Sequence, residues 1–161
     1  MIEIRKATAE DHDAIWNIIK VVIASGDTYV YDPGSSREEM MKEWFGENKH
    51  TYVALVESKI AGTFFIKSNQ PDLGSHIANA GYMTDPSMSG KGIGKAMCEY
   101  SLHEAKQLGF QAMQFNIVIK SNERAMRLWK KLGFGIKGEI PEAFNHRQLG
   151  LINAYIMYKK L

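Results

Sequence analysis

SGKGIGKAMCEY, residues Ser89 to Tyr100, packs three glycines and two lysines into its first seven positions and then runs straight into an amphipathic segment. Glycine loses more backbone freedom on folding than any other residue, so such a loop adds nothing to core stability. Its use lies in what it lets approach. The segment before it, His76 to Thr84, reads as a strand ended by Asp85-Pro86, and the segment after it reads as a helix to about Leu108, stopped by Gly109. A strand, a glycine loop and a helix N-terminus make an anion site, because the first-turn N–H groups lack partners and the helix dipole favours negative charge there. Lys91 and Lys95 add charge. Two phosphate-loop templates fail. The mononucleotide pattern ending at Gly94-Lys95 needs a glycine at Ser89 and a hydroxyl at Ala96. The dinucleotide pattern needs a glycine at Lys95 or at Met97.

Outward from the loop, apolar periodicity and turn residues mark the remaining elements. Ile2 to Lys6 alternates as a strand. Thr8 is placed to cap a helix carrying Ile15, Ile18, Ile19 and Val22 on one face and ending near Ser25-Gly26. GDTYVYDPGSS (26–36) is a loop, and Ser35 or Ser36 caps a second helix through Met40, Met41 and Trp44. Thr51 to Glu57 and Ile60 to Lys67 form a hairpin joined at Ser58-Lys59. Gly81 interrupts the strand before the glycine loop, as a bulge or a close backbone approach. Ala112 to Ile119 is a strand. Ser121 or Asn122 caps a helix whose inner face is Ala125, Leu128, Trp129 and Leu132. Phe134 to Ile140 is a strand stopped by Pro141, the polar stretch PEAFNHRQLG is a loop, and Leu151 to Tyr158 is the last strand. The order βααβββαβαββ mixes an antiparallel meander with strand–helix–strand crossovers, which predicts a mixed α/β (α+β) sheet in one domain spanning 1–161.

Composition narrows the function classes. The chain has 161 residues, 45% hydrophobic and 24% charged, with a net charge of +2 and no dense Lys/Arg run, so nucleic acid is not an expected partner. The N-terminus MIEIRKAT has no signal-peptide character, and no apolar run approaches the length of a membrane span. A single cysteine, Cys98, excludes an internal disulfide and fits a reducing cytoplasm. It reads as a packing residue off the main apolar face of its helix. The five histidines show no metal-ligand spacing, so no metal is expected.

A third phosphate template fits. Gly92-Ile93-Gly94, after Met83-Thr84-Asp85-Pro86, resembles the pyrophosphate loop of the GCN5-related N-acetyltransferases (GNAT), Gln/Arg-x-x-Gly-x-Gly/Ala, with Ser89 at the Gln/Arg place. NERAMRLWKKLGF, Asn122 to Phe134, resembles the second cofactor segment of that family, N-x-x-A-x-x-L-[YW]-x-K-L-G-F, and the element order matches over nearly the whole chain. The resemblance implies a mostly antiparallel sheet flanked by helices. In it the strand before the loop splays from the next, and acetyl-CoA lies in the opened wedge. Its pyrophosphate would rest on Ser89, Gly90, Lys91, Gly92, Ile93, Gly94 and Lys95. Its pantetheine would lie along Tyr82, Met83 and Thr84, bonded by Asn122 and flanked by Ala125, Trp129 and Lys131. Plain helix packing also accounts for Ala125 and Trp129.

The reaction that the resemblance implies is direct attack of an amine on the thioester in a ternary complex. It needs a proton acceptor, an oxyanion donor near Met83, and help for the leaving thiolate. The family uses a tyrosine for the last task where this chain has Trp129, whose indole N–H cannot serve. Tyr29, Tyr31 and Tyr82 are candidate substitutes. Asp27, Asp32 and His146 are candidate bases, Tyr31 and Asp32 being set with Asn116 as the catalytic group. Asn116 lies among apolar residues in AMQFNIVI, either as a core amide bonded to backbone or as a substrate ligand. FNIVIKSNERAMRLWKKLGF is similar to the branch containing fungal azetidine-2-carboxylate acetyltransferase, which implies a substrate role for Asn116 and, on a looser match, Asn145, beside Tyr29. The acceptor is then a small amine such as an amino acid or its analogue, whose carboxylate would suit Arg147. Protein or peptide acceptors, and a CoA-binding module without catalysis, are the alternatives. Homodimers are common in the resembling family.

Overall fold

The computed structural model describes all 161 residues. Seven strands, β1 (Ile2–Lys6), β2 (His50–Val56), β3 (Lys59–Ser68), β4 (Ile77–Thr84), β5 (Ala112–Ile119), β6 (Gly135–His146) and β7 (Gly150–Lys160), form one sheet in the order β1-β2-β3-β4-β5-β7-β6. All neighbours are antiparallel except β4 and β5, which the crossover through a helix makes parallel. Helices α1 (His12–Ala24) and α2 (Arg37–Trp44) cover one face, and α3 (Ile93–Gln107) and α4 (Glu123–Lys131) cover the other. No helix is long and apolar enough to cross a membrane.

Local chemistry explains the elements. Ser36 closes a capping box on α2: its hydroxyl accepts from the Glu39 N–H while the Glu39 carboxylate accepts from the Ser36 N–H. Thr8 does not cap α1 directly. A 3-10 turn at Ala9–Asp11 intervenes, where the Asp11 carboxylate accepts from the Thr8 N–H and takes both arms of Arg5. The β2–β3 turn falls at Glu57 and Ser58, both with positive φ.

Two cores sandwich the sheet. Ile15, Ile18, Ile19 and Ile23 of α1 pack with Met40, Trp44, Val53, Phe65 and Met83. Ile23 takes the inward position expected of Val22, which turns to the edge of a cleft instead. On the other face, Met97, Cys98 and Ala105 of α3 pack with Phe64, Met113, Phe115 and Met157. Cys98 therefore lies on the main apolar face of α3, and burial pushes its thiol pKa up to about 12. In α4 the buried residue is Met126, which the sequence reading omitted; Trp129 and Leu132 are half-buried beside it.

Gly81 makes no bulge. A Cβ there would lie 2.8 Å from the Phe65 ring, so the close-approach alternative holds. The polar stretch after Ile140 is not a loop. β6 runs through Pro141 to His146, with a register shift between Ile140 and Phe144 where Glu142 adopts φ 51°. Proline survives there because β6 is the outermost strand and the ladder is already interrupted, so its missing N–H costs nothing.

Candidate functional site

β4 and β5 pair only at Ile77 with Ala112 and Ala78 with Met113. Beyond those two positions the strands part, and the sheet opens into a wedge. Register parity determines which groups face it. Asn69 N–H bonds Ile77 O and Asp85 N–H bonds Ala61 O, so the odd-numbered residues of β4 spend their backbone groups on β3. Ala80, Tyr82 and Thr84 turn theirs toward the wedge. The backbone donor expected near Met83 is therefore at Tyr82, and the Met83 side chain is buried in the α1–α2 core.

The wedge is continuous with the glycine loop in a single cleft of about 920 Å³. Gly90 and Gly92 have φ of 82° and 78°, and a Cβ at either would meet nothing within 4 Å. Backbone conformation, not crowding by protein, requires glycine here, and the space above the loop stays open. Gly92 is the N-cap of α3, whose first N–H groups face the cleft mouth beside Gly94 and Lys95. Ser89 is held by Arg124 of α4, whose Nη1 donates to Ser89 Oγ at 2.6 Å. Arg124 thereby brings to the loop the cation expected of Lys91, which is exposed, leans on Met88 and does not line the cleft. Lys95 does line it, within 3.6 Å of Glu99. Nothing in the spacing of NERAMR distinguished Arg124 from a solvated helix residue.

The far wall is α4. Asn122 Oδ1 accepts from Ala125 N–H as the helix cap, and Ala125, Leu128 and Trp129 line the cleft. Trp129 belongs to an aromatic cluster with Phe115 at 4.8 Å and Tyr82 at 5.3 Å, so its core and cleft roles coincide. Lys131 is exposed beyond the cleft.

The α1–α2 face carries the remaining candidates. Asn116 is not a core amide. Phe115 opposes Met157 and Val118 opposes Tyr155, so Asn116 and Ile117 form a bulge that turns both to solvent in the cleft. Asn116 donates to Asn69 Oδ1 at 2.7 Å and accepts from Gln114 Nε2 at 3.0 Å, while Asn79 Nδ2 donates to Gln114 O. This amide row was not found in sequence, because its members lie on three separate segments. Tyr29 lines the cleft and its phenol meets the backbone of Tyr82. Tyr31 stacks on Tyr29 at 5.9 Å but does not line the cleft, and burial pushes its phenol up to about 12. The Tyr82 hydroxyl points away, bonded to Ser101 in the α3 core, so the strand contributes backbone here and no acid.

Asp32 is exposed and closes its own turn by accepting from Gly34 N–H; Asp27, not Asp32, lines the cleft. His146 Nδ1 accepts from the N–H groups of Gln148 and Leu149, which commits that nitrogen to the β6–β7 turn. Asn145 lies on the outermost strand and does not line the cleft. Arg147 donates to Ala24 O at the end of α1 and braces Gly26.

Comparison with known proteins agrees with this geometry. A profile of the acetyltransferase (GNAT) family matches residues 16–134. The chain is 37% identical over 101 residues to N-acetyltransferase aca1 of Schizosaccharomyces pombe, a match covering 62% of this chain and 48% of that protein, so the match spans about half the length of this relative. The structure of a GCN5-related N-acetyltransferase from Kribbella flavida superposes with a TM-score of 0.94 at 33% identity, covering 99% of this chain and 98% of that one. A GNAT superfamily phosphinothricin acetyltransferase from Sinorhizobium meliloti, solved in complex with acetyl-CoA, shares the fold with a TM-score of 0.88 at 21% identity, covering 99% and 88%.

Proposed function

The chain belongs to the GNAT family of acetyltransferases, and from that premise we propose that it is an acetyl-CoA-dependent N-acetyltransferase acting on a small-molecule amine of about amino-acid size. The observation that carries the reading is the continuity of two features. The β4–β5 splay offers an unpaired strand edge, and it opens directly onto the glycine-rich N-terminus of α3.

The residues present fit the cofactor. First-turn N–H groups of α3, with Lys95 and Arg124, suit a pyrophosphate. The wedge-facing backbone groups of Ala80 and Thr84, with those of Tyr82 once Tyr29 gives way, suit the amides of a pantetheine arm, in the manner of an added strand. Ala125, Leu128 and Trp129 supply an apolar wall. When bound, acetyl-CoA supplies an activated acyl group. The Tyr82 N–H is placed to receive negative charge on an acyl oxygen. Asn79 and Asn116 form a polar row on the α1–α2 face that holds and orients the acceptor, and Asp27, the cleft-lining carboxylate on that face, is placed to receive the amine's proton directly or through water. A thiol's pKa of about 8.5 lets the thiolate leave without a tyrosine on α4.

The test is titration of the protein with acetyl-CoA in a calorimeter, followed by a screen of free amino acids and small amines for CoA release. Saturable binding with amine-dependent release is the expected result. Binding without release for any amine supports the CoA-binding module, and release only with peptides moves the acceptor to protein N-termini or lysines. Absence of binding removes the cofactor from the reading.

A further inference from the structure

The edge of β4 that faces the wedge is already engaged at one residue. Tyr82 N–H donates to Tyr29 Oη at 3.0 Å, and the Tyr29 hydroxyl donates in turn to the Tyr82 carbonyl. One phenol thus meets both backbone groups of the strand residue whose N–H is the candidate oxyanion donor. Tyr29 comes from the loop between α1 and α2, the acceptor side of the sheet. Stacking on Tyr31 holds its ring, and Arg147 braces the start of its loop through Ala24 and Gly26. α4 offers no hydroxyl, because Trp129 stands in its aromatic cluster.

We propose that Tyr29 is a catalytic hydrogen-bond donor, sharing the acyl oxygen of the bound thioester with the Tyr82 N–H. The proposal rests on the acetyl-CoA reading above. An oxygen that accepts from Tyr82 N–H must lie about 3 Å from that nitrogen, the place where Tyr29 Oη now lies. A ring held by its stacking on Tyr31 need withdraw only by enough to make room, which would leave its hydroxyl beside the incoming oxygen, donating to it in place of the Tyr82 carbonyl. Burial raises the pKa of the Tyr29 phenol above its ordinary value. The hydroxyl therefore keeps its proton and donates a hydrogen bond, which distinguishes it from the acid of a proton transfer. In the balance of the step, the amine pair forms the N–C bond and the carbonyl π pair moves onto the oxygen held by Tyr29 and Tyr82. That pair returns as the C–S pair leaves with sulfur. The amine's proton is lost to a base or solvent, and the thiolate draws one from solvent.

The experiment compares the unsubstituted protein with Tyr29→Phe, using calorimetry, turnover, and difference infrared spectroscopy of acetyl-CoA labelled with ¹³C at the acyl carbonyl. Calorimetric binding also reports that the variant is folded. Tyr29→Phe is expected to bind acetyl-CoA with little change in Kd and to lose about 10²-fold or more in kcat, as for other single oxyanion donors. The labelled carbonyl stretch should move to higher frequency in the variant, because a hydrogen bond to that oxygen is gone. The pH profile should keep its shape, since the phenol does not titrate in the working range. An unchanged stretch overturns the proposal whatever happens to kcat, because a purely structural tyrosine would slow turnover without touching the carbonyl. Tighter acetyl-CoA binding with unchanged kcat also overturns it and makes Tyr29 a strap that the cofactor displaces. If the unsubstituted protein itself fails to bind acetyl-CoA, the cofactor assignment fails and the proposal with it.

Discussion

Gly92→Asp isolates the contribution of the glycine loop to ligand binding. Three terms act on the folded protein. Gly92 has φ 78°, a conformation that costs an L-residue about 1–2 kcal/mol, least for Asn and Asp. A Cβ there meets no atom within 4 Å, so no clash is added. A carboxylate at the N-cap of α3 recovers about 0.3–1 kcal/mol from the helix dipole. The folded protein is thus nearly neutral to the change, and a thermal melt should move by a few degrees at most. Binding is different. A carboxylate about 6 Å from a phosphate charge repels it by about 0.7 kcal/mol at the dielectric of water and about 2.8 kcal/mol at an effective value near 20. Two charges on a pyrophosphate double this, so acetyl-CoA affinity should fall by at least about tenfold. Gly92→Ala, which carries the strain without the charge, is the control. Calorimetric titration of both variants checks it, and raised salt should narrow the gap. If the aspartate variant binds acetyl-CoA as tightly as the alanine variant, the pyrophosphate does not lie on this loop and the electrostatic argument is wrong.

Asp11, buried and bonded by both arms of Arg5 and by Thr8, has its pKa lowered from 3.8 to about 2, chiefly by the Arg5 hydrogen bonds. A depressed carboxylate stabilises above its unfolded pKa, so Asp11→Asn should cost about 1–2 kcal/mol near neutral pH, and the gap should close as pH falls through the acid range toward 2 in urea melts. Thr63→Val should destabilise by about 1–3 kcal/mol in denaturant titrations, because the fully buried Trp44 Nε1–H donates to Thr63 Oγ1 at 2.9 Å and would lose its partner. Gly81→Ala drives a methyl into a Phe65 ring already held edge-on to Trp44 at 4.9 Å; a loss of about 1–3 kcal/mol is expected, and an unchanged midpoint would show that the ring yields freely.

Element type and order were legible from the chain because they depend on local chemistry. β5 spans Ala112–Ile119 as its apolar run predicts, Ser36 caps α2, and the glycine loop opens α3. Each follows from side-chain periodicity or from a backbone demand that one residue type meets. Thr8 and Val22 are misjudged locally, but the readings that bear on the sheet edge and the cleft turn on partners distant in sequence. Pro141 reads as a stop until β6 is known to be the outermost strand with an interrupted ladder. Asn116 reads equally as a core amide or a substrate ligand until the β5 bulge turns it to the cleft beside Asn69 and Gln114. Lys91 and Lys95 read as the added charge, yet only Lys95 of the two lines the cleft, and Arg124, 35 residues from Ser89, joins it by bonding Ser89. Tyr29 reads as a substitute acid or a substrate ligand, and only the pairing parity of β3 and β4, which turns Tyr82 N–H toward the wedge, shows that its hydroxyl meets that strand's backbone. Periodicity and capping are properties of a few adjacent residues, so the chain alone determined the fold and the glycine loop that opens α3. Register, splay and the side of the sheet to which each loop returns exist only after strands pair, and those decided which residues line the cleft.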